Sequence, residues 1–362
     1  MRILHIINSL TTGGAEKLLI ETLPLYHEKG LEVAILLLNG IESPFYKELQ
    51  SKKCCTIYSL GKGSVYNPLL IFKMIPYLKK FEVIHIHLFP ALYFVAIAKL
   101  ISRAKTPLVY TEHCTSNRRL ESKLFSAIDK RMYRYYAKIV CISSEIFQII
   151  KNHTKLKEQR FQIIENGVNL SIIKEAIPSL KEEINIKISN PDKVLIQVSG
   201  FREQKDQKTL IKALKYMPNY VKLLLVGDGN LRHECEELTT TLGLQHRVFF
   251  LGIRMDVPQL LKTADIVVLS SKYEGLSLSS IEGMASGKPF VASNVPGLRD
   301  VVGGAGLLFE DGNEQDLANI INKLIEDADF YQETVTNCLD RAEKYDISYM
   351  VAKHIALYIN FK

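Results

Sequence analysis

Ten short apolar runs, each followed by a turn signal and a stretch of helical length, constrain this chain more than any other feature. RILHIIN, LEVAILLL, EVIHIHL, PLVYTEH and KIVCIS occupy the first half; KVLIQVS, KLLLVGD, RVFFLG, IVVLSS and PFVAS occupy the second. Runs without polar alternation are what strands buried on both faces show. Between them lie amphipathic stretches such as Ala15 to Lys29 and Leu69 to Lys80. Strand alternating with helix means βαβ units and parallel sheets. At 362 residues the chain exceeds one ordinary core, so the expectation is α/β with two Rossmann-like doubly wound domains. The polar stretch Asn169 to Asp192, with Pro178 and Pro191, sets the boundary. The domains are therefore placed at 1–170 and 171–345, with a C-terminal helix over 346–362 packing back toward the N-terminal domain. Two such domains facing across a cleft hold ligands at the carboxyl ends of their strands, so function is sought in the strand-to-helix loops.

Composition narrows the class. With 47% apolar and 23% charged residues the chain reads as soluble and globular. No apolar run reaches the roughly 20 residues of a membrane-spanning helix; the longest candidate, Leu88 to Ile101, is broken by Pro90 and Lys99. MRILHIINSL reads as a first strand and not as a signal peptide. Cys54, Cys55, Cys114, Cys141, Cys235 and Cys338 contain no C-x-x-C pair, as expected of a reduced, cytoplasmic protein. The net charge of +7 is uneven: residues 1–175 carry +11 and the rest −4, so the first half is expected to meet something anionic.

Five loops can carry chemistry. Thr11-Thr12-Gly13-Gly14-Ala15-Glu16 follows strand one and opens a helix, where free N–H groups suit an anion; an ordinary tight turn explains it equally. Val226-Gly227-Asp228-Gly229-Asn230 starts like a dinucleotide fingerprint, but no third glycine follows and RVFFLG lacks the ribose-binding acid, which disfavours a nicotinamide enzyme. Ser199 to Asp206 brings Arg202 and Lys205 to a sheet edge, as a diphosphate clamp or as two surface cations. Ser270 to Ser277 carries Glu274 before a glycine, and Glu282 follows eight residues later in a mostly apolar helix, where an acid needs a partner or ligand. Ser293-Asn294-Val295-Pro296-Gly297-Leu298-Arg299-Asp300 opens another helix, with Pro then Gly presenting backbone N–H groups to an anion.

Taken in order, these loops resemble the family 4 retaining glycosyltransferases (glycosyl transferases group 1), which have the two-domain GT-B fold. The likeness covers nearly the whole chain: G-G-A-E, Y-T-E-H, C-I-S-S-E, E-N-G-V, K-D-Q-K-T-L-I, V-G-D-G, F-L-G and E-G-L-S-L-S-S-I-E-G-M-A-S-G-K-P. The last string, the family's Glu-x7-Glu signature, is the most specific.

The resemblance implies a nucleotide-sugar donor, with UDP as the default carrier, and roles for matching positions. Gly13 and Gly14 approach the donor phosphates. Arg202 and Lys205 neutralise the diphosphate. Glu274 holds donor-sugar hydroxyls and Glu282 the ribose. Backbone N–H groups around Gly297, Leu298 and Arg299 hold phosphate oxygens. Gly229, Asn230 and the turn Gly252 to Arg254 flank the base, and Gly275, Leu276 and Ser277 complete the donor loop. His113 resembles the N-terminal-domain histidine that faces the sugar; of the pair in EVIHIHL, His87 is read as a cleft residue and His85 as structural. The chain departs from the pattern twice. Arg202 stands three residues before Lys205 where the family more often has four to six. Gly283 replaces the usual Ala after the second Glu, a change expected to lower helix propensity and to matter little to chemistry.

No cofactor and no metal are expected. The only D-x-D string, Asp327-Ala328-Asp329, falls at the end of a late helix. On the acceptor side, Arg118, Arg119, Lys123, Lys130, Arg131, Arg134 and Lys138, interspersed with Phe125, Tyr133, Tyr135 and Tyr136, suit an anionic membrane face, unless the helix simply turns its tyrosines inward. The expected acceptor is a saccharide or lipid-linked saccharide in bacterial surface polysaccharide biosynthesis (capsule or lipopolysaccharide), met as a peripheral protein at the inner face of the cell membrane. No nucleic-acid-binding module is recognised. Competing readings are a nucleotide-sugar epimerase or phosphorylase on the same fold, or a non-catalytic nucleotide-sugar-binding subunit. Sugar, acceptor and oligomeric state are left open.

Overall fold

β1 (Arg2–Ile7) begins a sheet in which it pairs in parallel with both β2 (Glu32–Leu37) and β4 (Val83–His87). β3 (Thr56–Ser59), β5 (Leu108–Glu112), β6 (Lys138–Cys141) and β7 (Phe161–Ile163) complete the order β3-β2-β1-β4-β5-β6-β7. A second sheet is built the same way from β8 (Lys193–Val198), β9 (Val221–Val226), β10 (Val248–Gly252), β11 (Ile266–Leu269), β12 (Phe290–Ser293) and β13 (Leu307–Phe309). Its order is β10-β9-β8-β11-β12-β13. Both sheets are parallel throughout, as the unbroken apolar strands require. The structure, a computed structural model, describes residues 1–11, 13–113, 123–179, 184, 188 and 191–361, without the side chains of Lys123 and Leu124.

The chain divides into two compact units, Met1–Gly167 with Ile347–Lys362, and Val168–Asp346. In the first, helix Gly14–Glu28 and the C-terminal helix Ile347–Ile359 pack on each other. In the second, the core gathers Leu195, Phe201, Leu210, Leu223, Val268 and Phe309 around the sheet and its helices. Each such side chain withdrawn from water stabilises the unit by roughly 1.5–3 kcal/mol before ordering entropy is counted.

Strand order reverses direction between β1 and β4 in one unit and between β8 and β11 in the other. At such a switch point neighbouring loops diverge to opposite faces of the sheet and leave a crevice at the strands' carboxyl ends, where open α/β sheets bind ligands. The loops after β8 and β11 hold Arg202, Lys205 and Glu274. Among the described residues no helix is long and apolar enough to cross a membrane.

Candidate active site

The second unit's site is built on a ladder between two loops. Past β8 the chain makes a turn in which Lys205 N donates to Arg202 O at 2.9 Å. Residues 204–206 then pair with 270–272 past β11: Asp206 N donates to Ser270 O at 3.0 Å and Lys272 N to Gln204 O at 2.9 Å, with Lys205 opposite Ser271. Buried Gln197 fastens the ladder from below. Its amide nitrogen donates to Ser199 Oγ (2.9 Å) and Ser270 O (3.2 Å), and its oxygen accepts from Ser270 N (3.1 Å). Gln207 Nε2 donates to the same Ser199 Oγ at 3.1 Å.

That framework brings Lys205 Nζ onto Glu274 Oε1. Ser271 Oγ donates to the same oxygen at 2.7 Å, and Ser271 N is itself held by Ser293 Oγ at 2.8 Å. The two charged side chains are 18% and 11% exposed, so the pair is largely desolvated yet still reachable. Arg202, by contrast, is exposed on the turn. Glu282 lies on helix Leu278–Ala285, whose N-cap is Ser277, and is buried at 4% exposure.

Glycines fix the remaining backbone. A Cβ on Gly297, the second residue of helix Pro296–Val302, would collide with the carbonyls of Glu274 and Gly275, so this helix start is pressed against the Glu274 loop. Leu298 beside it is fully buried, whereas Leu276 and Ser277 are nearly so. The V-G-D-G string has the same kind of explanation. Side chains on Gly227 and Gly229 would strike the backbone of Ser199 and Phe201, whose N–H and carbonyl bond to Asp228 O and Leu231 N. Its glycines serve loop-on-loop packing, which gives a physical reason for the G-x-G that needs no dinucleotide. Asn230 is exposed, Gly252 ends β10 with φ +65°, and Arg254 is tied to Asp256, holding that carboxyl below the usual range.

Gly283 has a packing reason as well as its effect on helix propensity. A Cβ there would enter the ring of fully buried Phe290 and reach Val267. The glycine is a packing device that lets Phe290 lie across the helix, and the lost propensity is the lesser effect.

In the first unit, Gly13 caps helix Gly14–Glu28 just past β1, and its carbonyl accepts from Lys17 N at 2.9 Å. His113 follows β5, with Nε2 3.3 Å from His87 Nδ1; burial pushes its pKa down to about 4. His87 and His85 are both buried on the same face of β4. Arg118 and Arg119 lie outside the described residues, as does the Lys123 side chain. The basic helix Lys123–Tyr133 keeps Arg131 exposed, with Arg134 just beyond, beside exposed Phe125 and Ile128. Tyr133 at its end and Tyr136 just beyond turn inward: Tyr133 donates to Glu112 Oε2 (2.6 Å) and Tyr136 to Leu92 O (2.5 Å). Asp129 is buried too, held by Tyr93 and His153. Gln197 escaped the sequence reading, and Ser271 and Ser293 were named in their loops without the bracing roles they have here; a Gln inside an apolar strand was the available signal.

Residues 12–172 match the sequence model described as Glycosyltransferase Family 4, and residues 179–344 that of Glycosyl transferases group 1. The chain belongs to the family 4 glycosyltransferases. Its fold is GT-B. The UDP-glucose complex of Anabaena HepE, 26% identical, aligns over 98% of this glycosyltransferase and 99% of that chain with a TM-score of 0.84. The Rhizobium meliloti lipopolysaccharide core biosynthesis glycosyltransferase LpsD is 27% identical over 90% of this chain and 89% of its own. The Escherichia coli UDP-Gal:α-D-GlcNAc-diphosphoundecaprenol α-1,3-galactosyltransferase is also 27% identical, over 68% of this chain and 66% of its own.

Proposed function

We propose that this glycosyltransferase moves a sugar from a UDP-sugar, with retention at the anomeric carbon and without a metal ion, to a saccharide or lipid-linked saccharide in surface-polysaccharide assembly. The observation that carries the proposal is the Lys205–Glu274 pair. One cation and one carboxylate, mostly withdrawn from water, stand at the carboxyl ends of the two strands flanking the switch point. A sugar nucleotide needs both: a cation for the diphosphate and a carboxylate acceptor for sugar hydroxyls.

As the anomeric bond breaks, charge grows on the β-phosphate and the sugar gains oxocarbenium character. Lys205 and Arg202 stabilise that phosphate charge, and backbone N–H groups at Gly297 and Leu298 bind its oxygens. Glu274 accepts from sugar hydroxyls beside Gly275, Leu276 and Ser277; Glu282 holds the ribose; Gly229, Asn230, Gly252 and Arg254 flank the base. Gly13, Gly14 and His113 take their donor roles from motif position. These cations make a metal unnecessary. Asp327 of the D-A-D string is engaged otherwise, capping helix Ala328–Ala342 through Phe330 N at 2.9 Å.

HepE bound to UDP-glucose favours UDP, and the Escherichia coli relative favours a lipid-linked acceptor. Exposed Phe125, Ile128, Arg131 and Arg134 are the surface offered to an anionic membrane. The test is a thermal-shift panel of nucleotide sugars followed by product analysis. UDP-sugars should raise the melting temperature by mass action, the product should keep the donor's anomeric configuration, and EDTA should leave turnover intact. Stabilisation by GDP- or ADP-sugars alone, an inverted product, or turnover lost in chelator and restored by manganese would each overturn the corresponding part. Indifference to anionic vesicles at low salt would remove the membrane.

A further inference from the structure

The first unit's helices lie in two layers that differ in surface chemistry. Along the sheet, β1 to β2 and β2 to β3 step in one direction, whereas β3 to β4, β4 to β5 and β5 to β6 step in the other. Right-handed crossovers therefore put helices Gly14–Glu28 and Pro44–Lys52 on one face of the sheet. They put helices Leu70–Met74, Ala91–Ser102 and Lys123–Tyr133 on the opposite face. The packing agrees: the C-terminal helix lies on Gly14–Glu28, while Leu70–Met74 and Lys123–Tyr133 both lie on Ala91–Ser102.

The second layer leaves large apolar side chains in water. Leu70, Ile71 and Met74 are buried, so the short helix exposes Phe72 and, at its cap, Leu69. Leu100 and Ile101 stand exposed at the end of the middle helix, and Phe125 and Ile128 on the third; all six are between 38% and 60% exposed. The other layer, with the C-terminal helix, exposes Tyr349 and Ile359 alone among the described residues.

Charge divides the same way. Residues 69–80, 91–105 and 123–138 hold three, three and five Lys/Arg and a single acid, Asp129. That acid is buried against Tyr93 and His153. Lys79, Lys80, Arg103, Lys105, Arg131 and Arg134 are all exposed. Helix Gly14–Glu28 of the other layer carries three Glu and one Lys. A cation near a helix's last turn suits the helix dipole, which explains these side chains one at a time. The dipole gives no reason for apolar side chains left in water on the same three helices, and neighbouring exposed apolar groups mark a contact surface.

The combination selects the partner. A second copy docked by this layer would set like charges against like. Nucleic acid would use the cations and leave the apolar side chains idle. An anionic bilayer uses both, with cations on its headgroups and apolar side chains at the acyl boundary. We propose that this three-helix layer docks the protein on an anionic membrane surface. The docking face extends from helix Lys123–Tyr133 across its two neighbours, and only its purpose, reaching a lipid-linked acceptor, rests on the functional reading above.

The test is co-sedimentation of the full chain with phosphatidylcholine vesicles, with and without phosphatidylglycerol, at low and high salt. The wild type should bind the vesicles that contain phosphatidylglycerol and leave them at high salt. Leu69→Ser with Phe72→Ser should weaken binding by about 10-fold or more, because less apolar surface is left to bury. Lys79→Glu with Lys80→Glu should weaken it by about 10-fold at low salt. Tyr349→Ser, on the other layer, should bind as the wild type does. All these side chains are exposed, and urea midpoints matching the wild type check that each variant folds. Absence of binding, or equal binding with and without phosphatidylglycerol, overturns the proposal. Loss confined to Phe125→Ser with Ile128→Ser, the Leu69 and Phe72 variant binding normally, overturns the three-helix face. A dimer in light scattering that Leu69→Ser with Phe72→Ser dissociates, without vesicle binding, gives the layer to a second copy instead. Thermal shift with UDP-sugars on the same proteins separates the two failures. Stabilisation without vesicle binding sinks the docking face alone, and vesicle binding without stabilisation sinks the donor reading alone.

Discussion

Lys205 and Glu274, 69 residues apart in the chain, meet tip to tip in a pair that Ser271 braces from the same carboxylate oxygen. The loop ladder below them fixes both groups in place, the preorganisation that their proposed role in electrostatic catalysis requires.

Removing one partner strands the other in a mostly desolvated place. Lys205→Ala should destabilise the protein by on the order of 3 kcal/mol and abolish turnover, while Lys205→Ala with Glu274→Ala should recover much of the stability and none of the activity. Denaturant midpoints and turnover of the four proteins check this; additive losses in stability would show that the pair is not coupled.

The two glutamates should separate in function. Glu282→Ala should weaken UDP binding by about 10-fold or more, the order expected of hydrogen bonds to a charged group. Glu274→Gln should leave UDP affinity within a few-fold and lower kcat. Titration calorimetry with UDP beside steady-state kinetics decides; unchanged UDP affinity in Glu282→Ala would undo the division.

Gly283→Ala gains up to about 1 kcal/mol of helix propensity and still should destabilise, because overpacking against Phe290 costs about 1–3 kcal/mol. Adding Phe290→Leu to it should restore part of the loss. A Gly283→Ala protein with a higher urea midpoint than the wild type would show that the ring yields.

Buried neutral histidines make the first unit acid-sensitive. Unfolded histidine takes up a proton near pH 6.5, whereas folded His354 and His113 do so only at about 4 and His5 at about 3. The unfolded state therefore binds more protons between these values. Stability is full above pH 6.5 and falls by about 1.4 kcal/mol per pH unit per histidine as pH drops toward 4. His354→Leu should shallow that slope by about one histidine's share, measured as urea midpoints from pH 7.5 to 4.5.

The sequence by itself determined the two parallel sheets, because β1, β2, β4, β5 and β6 and then β8 to β12 are continuous apolar runs that only burial on both faces explains. It missed β3, β7 and β13 for one physical reason. All three are sheet edges of three or four residues, half-exposed, and such strands need no apolar run. The Glu274–Glu282 spacing and the position of Lys205 were likewise legible, since both sit in strand-to-helix loops that the periodicity locates. Only the tertiary structure paired Lys205 with Glu274, because side-chain contact across 69 residues is set by loop-on-loop hydrogen bonds that leave no local pattern. It alone turned Tyr133 and Tyr136 inward, explained Gly283 by the ring of Phe290, and joined His354 to histidines some 270 to 350 residues earlier. Packing between distant elements decides which of several chemically sensible partners a side chain meets, and that choice is not written in the spacing of any one of them.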